Sequence, residues 1–124
     1  MPTKTIILSV KSRKEVLREF GETFEKLQKK EQVRPKYELS FGTIDDFREF
    51  LTKKRIELLK GIKREHPNSI YELGKIIKRD LKSVNTDLKI LEKYGLISLE
   101  KTKDKRRKIA PKVNYDKIKI EIEI

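Results

Sequence analysis

Lys82, Ser83, Asn85, Thr86 and Lys89 stand close together in one stretch of the chain. Helical spacing sets them opposite Leu81, Val84, Leu88 and Leu91, which recur at intervals of three, four and three and mark a buried stripe. Short polar and cationic side chains opposite such a stripe suit two kinds of contact. They can hydrogen-bond to base edges in a major groove, and they can pair with phosphates. Asn85 matches an adenine edge; Lys82, Lys89 and Lys93 match a phosphate or a guanine. Ser69 opens the preceding helix, where free backbone N–H groups can receive a phosphate. Arg79 lies in the turn between the two helices. Behind them the segment KTKDKRRK holds Lys103, Lys105, Arg106 and Arg107 among six basic residues, against the single acid Asp104.

The elements that must position these groups are legible in the pattern. The stretch SIYELGKIIKRDLKSVNTDLKILEKYG, residues 69–95, reads as two helices joined by a tight polar turn. Ser69 and Glu72 form a capping box for the first, and Asp80 caps the second. Gly95 is placed to stop the second helix in the left-handed conformation. Leu96, Ile97 and Leu99 begin a strand, 102–105 is the hairpin tip and 107–110 the returning strand. Upstream, Thr43 and Thr52 open two helices whose apolar sides are Ile44, Phe47, Phe50 and Leu51, then Ile56, Leu58, Leu59 and Ile62. His66 and Pro67 end the second of these.

The first 42 residues read strand–helix–strand. Residues 5–10 alternate with period two. Ser12 and Glu15 form a capping box before the apolar stripe Val16, Leu17, Phe20, Phe24 and Leu27. Residues 36–41 alternate again. Phe20, Phe24, Tyr37, Phe41, Phe47 and Phe50 are expected in the core, because they lie on apolar faces and not among the basic clusters. The C-terminal KIKIEIEI sets Ile118, Ile120, Ile122 and Ile124 on one face, a strand with one buried side whose expected neighbours are the N-terminal strands.

Composition narrows the chemistry. The chain has 124 residues, no Cys, one His and a formal charge of +12. Nine of those net charges lie within residues 43–112, on the proposed reader. Such an excess attracts polyanions. Without Cys there is no disulfide framework, thiolate zinc site or thiol nucleophile. His66 beside Pro67 reads as a loop residue. There is no glycine-rich phosphate loop, no metal-ligand cluster and no paired carboxylates with a basic partner at telling spacing. The expectation is therefore no enzyme, no cofactor and no metal. No apolar run approaches the ~20 residues of a membrane span. A soluble cytoplasmic protein with no membrane partner is expected.

Residues 52–100, with the motifs KRIELLKGI and SIYELGKIIKRDLKSVNTDLKILEKYGLI, resemble winged-helix transcriptional regulators of the MarR and ArsR type. They are most similar to a group of small, mostly archaeal and bacterial proteins regarded as DNA-binding. FGTIDDFREFLT also looks like this group. The resemblance implies that the Ser69 helix supports a recognition helix running into a wing. It implies a homodimer on a pseudo-palindromic operator. Some members look like antitoxins beside small toxin partners, which implies autorepression. The chain departs from typical members in its β-rich ends and in lacking their long terminal dimerisation helices. Without Cys, a metal switch of the ArsR kind is not expected.

The expected fold is α+β: a winged helix-turn-helix over 43–112, a strand–helix–strand dimerisation layer over 1–42, and a C-terminal strand, 113–124, packed on that layer. The expected function is sequence-specific binding of double-stranded DNA by a dimeric repressor. Each feature alone has a plainer reading, since a polar helix face is usually only solvated and a basic hairpin usually only a soluble turn. The alternatives are an antitoxin-like module that neutralises a small partner through its terminal β segments, and RNA binding through the same basic surface.

Overall fold

The computed structural model describes residues 3–30, 37–102 and 108–124. Among these the chain is α+β, with five helices and five strands in two sheets. The order is β1 (Thr5–Val10), α1 (Arg13–Gln28), β2 (Glu38–Phe41), α2 (Ile44–Phe50), α3 (Lys53–Glu65), α4 (Ile70–Ile77), α5 (Leu81–Lys93), β3 (Ile97–Lys101), β4 (Ile109–Val113) and β5 (Lys117–Ile122). No helix among the described residues is long and apolar enough to cross a membrane.

Two compact units divide the chain: Met1–Phe50 with Lys117–Ile124, and Leu51–Asp116. The expected boundary after residue 42 therefore moves to Phe50. The reason is aromatic. Phe47 and Phe50 of α2 are buried, with ring centroids 5.8 and 5.4 Å from that of Phe41 on β2.

In the first unit the strand order is β2-β1-β5, and both pairings are parallel. The C-terminal strand thus joins the N-terminal ones. Register sets Leu8 beside Leu39 and Ile120, and Val10 beside Phe41 and Ile122, so these side chains share one face. The opposite face is polar, with Ser9 Oγ 3.0 Å from Ser40 Oγ. Lys11, only 8% exposed, places Nζ 2.7 Å from Glu19 and 3.1 Å from Glu38.

Glu19 brings α1 into that contact. Ser12 caps the helix, accepting from the Glu15 N–H at 3.2 Å. Glu15 and Glu19 are the half-buried residues of α1, and the apolar stripe is turned outward. Phe20 is 71% exposed, and Val16, Leu17, Phe24 and Leu27 are exposed with it. Phe20, Phe24 and Tyr37 are therefore not core residues, contrary to the pattern: α1 turns Glu15 and Glu19 inward instead of its apolar stripe, and Tyr37 lies before β2 with Lys4 Nζ 4.9 Å from its ring centroid. The one buried side expected of the C-terminal strand is also incomplete. Ile118 is half-buried, but Ile120, Ile122 and Ile124 are exposed, since β5 is an edge.

Burial pulls the Lys11 pKa down, but hydrogen bonds to Glu19 and Glu38 and the attraction of both carboxylates outweigh it and raise the pKa above its ordinary 10.5. A raised folded-state pKa stabilises fully below the unfolded value and loses that contribution as pH rises through the folded one. The stability gap between the native chain and Lys11→Met is thus expected to stay constant up to about pH 10 and to shrink above it. Denaturant titrations of both proteins across alkaline pH check this; a gap that changes near neutrality would contradict it.

The second unit is built on side-chain caps. Thr52 accepts from the Arg55 N–H at 3.2 Å, Ser69 from Glu72 at 3.0 Å and Asp80 from Ser83 at 3.0 Å. His66, at φ 47, closes α3 before Pro67. Gly61 lets α3 and α4 approach: a Cβ there would lie 3.2 Å from Ile77 Cγ2. Gly95 has φ +80, and the Leu96 N–H donates to the Leu91 carbonyl while Gly95 donates to Glu92, a Schellman closure. β3 and β4 pair antiparallel, Leu99 opposite Pro111. Leu58, Ile62, Leu73, Val84, Leu88, Leu91 and Ile97 are buried.

Candidate nucleic-acid interface

α4 and α5 are joined by a turn in which Lys78 takes the left-handed conformation at φ 57. That residue reverses the chain so that Asp80 can cap α5. Val84, Leu88 and Leu91 hold α5 down, while Leu81, at its first position, is 44% exposed and lies outside the buried stripe. With this side buried, helical geometry sets Lys82, Thr86, Lys89 and Lys93 on the opposite side. All four are exposed. The Thr86 hydroxyl donates to the Lys82 carbonyl at 3.0 Å, which fixes its rotamer. Lys93 Nζ lies 5.8 Å from the Tyr94 ring centroid.

Ser83 and Asn85 do not join that outer face. They sit on opposite flanks of α5, and both are half-buried. Ser83 Oγ accepts from Arg79 Nη2. Arg79 also donates to Asp87 Oδ2 at 2.7 Å, and Arg55 Nε donates to Asp87 Oδ1 at 3.0 Å. The Arg79 side chain is 17% exposed, so it is folded beneath the helix and not extended into solvent. Two guanidinium groups share one carboxylate. Arg79 Nη1 is buried with no hydrogen-bond partner among the described residues. Beside this network an open groove is lined by the basic Lys53, Lys54, Arg55, Arg79 and Lys82 and by the acidic Asp80 and Asp87.

Ser69 is buried, its hydroxyl engaged as the α4 cap. Its own side chain is therefore not offered outward, and the Glu72 N–H of the first turn of α4 is taken up by that cap. Lys103, Lys105, Arg106 and Arg107 lie outside the described residues. The described hairpin ends at Thr102, whose N–H donates to the Lys108 carbonyl at 2.7 Å. Asp87, Arg55, Lys53 and Lys54 were not singled out by pattern. Arg55 and Asp87 stand 32 residues apart, so local spacing cannot pair them. Arg79, Ser83 and Asp87 recur every fourth residue, which is a readable signal for a line of contacts along one helix flank. Among the described residues no group of three His, Asp or Glu side chains could hold a metal ion.

The molecule is thus an α+β protein whose second unit presents a lysine-bearing helix face above an arginine–aspartate network. It belongs to the HVO_A0114 family, which matches residues 50–120, the whole second unit and part of β5. No curated protein and no solved structure matches the chain.

Proposed function

We propose that the second unit is a winged helix-turn-helix and that the chain is a cytoplasmic regulator of transcription, binding double-stranded DNA as a dimeric autorepressor. In this reading α5 is the recognition helix and the β3–β4 hairpin the wing. The observation that carries it is the face of α5: Lys82, Thr86, Lys89 and Lys93 exposed on a helix whose other side is buried. A helix of 13 residues, about 20 Å long, can lie in a major groove and reach bases and phosphates together. The groove beside the Arg55–Asp87–Arg79 network supports the same reading, because Lys53, Lys54 and Lys82 line it and can meet a phosphate.

Salt titration of duplex binding tests it. With about 6–10 phosphate contacts, affinity should fall roughly a thousandfold or more between 50 and 200 mM salt. A flat curve over that range removes the proposal. Competition with structured RNA at fixed salt separates the two polyanions.

A second reading, neutralisation of a small partner protein, is favoured by the outward apolar stripe of α1, in which Leu17, Phe20 and Leu27 are all more than half exposed. A stoichiometric small protein accompanying the chain when both are made from the native operon would distinguish it.

A further inference from the structure

The sheet of the first unit has two edges. β2 is four residues long and directs Glu38 onto the buried Lys11, two features that blunt an edge. β5 has neither: it runs six residues, has no proline, and leaves Ile120 and Ile122 half exposed. Its backbone is open in a defined way. Lys117 donates its N–H to the Lys4 carbonyl at 3.3 Å and Glu123 to that of Val10 at 3.4 Å. Odd-numbered residues therefore face β1. Successive residues alternate sides, so Ile118, Ile120 and Ile122 turn their N–H and C=O groups to the free edge.

We propose that β5 pairs antiparallel with β5 of a second copy about a two-fold axis through Ile120, joining two three-stranded sheets into one of six strands. This rests on the dimer in the reading above but not on DNA binding. Backbone, charge and apolar side chains agree on that register. Ile120 faces Ile120 of the second copy and Ile118 faces its Ile122, so every outward N–H and C=O finds the partner that an antiparallel ladder supplies. Period two brings Lys119 opposite Glu121 of the second copy and Lys117 opposite its Glu123, all on one face. The isoleucines meet on the other face and cover one another. Moving the axis to Lys119 or Glu121 sets like charges against each other on the axis. A parallel in-register pairing sets every charge against its like. The strand KIKIEIE is thus self-complementary only in the antiparallel register centred on Ile120, and a self-complementary patch is what a two-fold interface requires.

The test is the dimer dissociation constant of the full chain without DNA, by sedimentation over a concentration series. Lys119→Glu creates two like-charged pairs across the axis and is expected to weaken the dimer about tenfold. Adding Glu121→Lys restores opposite charges in the swapped sense and is expected to recover the native constant. Both side chains are exposed, 62% and 40%, and circular dichroism confirms that each variant is folded. Recovery in the double variant supports the proposal, since a merely structural role for Lys119 would not be rescued. A monomeric native chain overturns both the proposal and the dimer in the functional reading. A native dimer unmoved by Lys119→Glu overturns only the β5 pairing. DNA affinity, measured separately, bears on neither result.

Discussion

Asp87→Ala is expected to destabilise the second unit by about 3 kcal/mol, read as a lowered denaturation midpoint. Asp87 bonds both Arg55 and Arg79, and the three side chains are 14%, 14% and 17% exposed. Removing the carboxylate leaves two guanidinium groups facing one another with little water to screen them. Removing an arginine is different in kind. Arg79→Met leaves the Arg55–Asp87 pair in place and also removes the unpaired Nη1, so about 1 kcal/mol is expected. Asp87→Asn should resemble Asp87→Ala, since it keeps the shape but not the charge. A core of this size supplies roughly 3–5 kcal/mol of net stability, so Asp87→Ala should remove most of the margin that keeps the unit folded. The ordering is the check: if Arg79→Met costs as much as Asp87→Ala, the network is held by packing and not by charge.

Local chemistry carried the sequence reading where it succeeded. Thr52, Ser69, Asp80 and Ser12 accept from the N–H three residues on, because capping is decided within one turn of chain. Gly95 closes α5 for the same reason. Period two identified β5, and the hazard of an exposed alternating edge pointed it to the strands of the first 42 residues, of which β1 is its partner. A regular apolar pattern does not by itself say which side of a helix meets its own sheet. The α1 stripe of Phe20 and Phe24 is as regular as that of α5, yet it is exposed, while Glu19 on the other side of α1 meets the buried Lys11 just after β1, and Lys11 also meets Glu38 of β2. Arg79 shows the same limit at the candidate site. Its position in the turn was legible, but its fold beneath α5 depends on Asp87 and on Arg55 of α3. Ser83 was drawn off the outer face by that same network.

Lys82→Ala and Lys89→Ala follow from the opposite property, full solvation. Neither side chain is buried, so each change should alter stability by no more than about 0.5 kcal/mol. In the proposed complex each lysine meets a phosphate. Its loss should weaken binding about tenfold at low salt, uniformly across sequences, and reduce the slope of log affinity against log salt by about 1. The double variant should lose about a hundredfold and about 2 in slope if the contacts are independent. Asn85→Ala makes the contrast. Its amide sits on a half-buried flank, and a base contact there would cost discrimination at one position of the site, about 1–3 kcal/mol against the wrong base, with the salt slope unchanged. Titrations of the three variants on a selected duplex and on a scrambled one separate these outcomes. If the lysine variants bind as the native chain does, the outer face of α5 is only a solvated surface. If they lose affinity while Asn85→Ala loses none of its selectivity, α5 lies along the backbone and the sequence is read elsewhere.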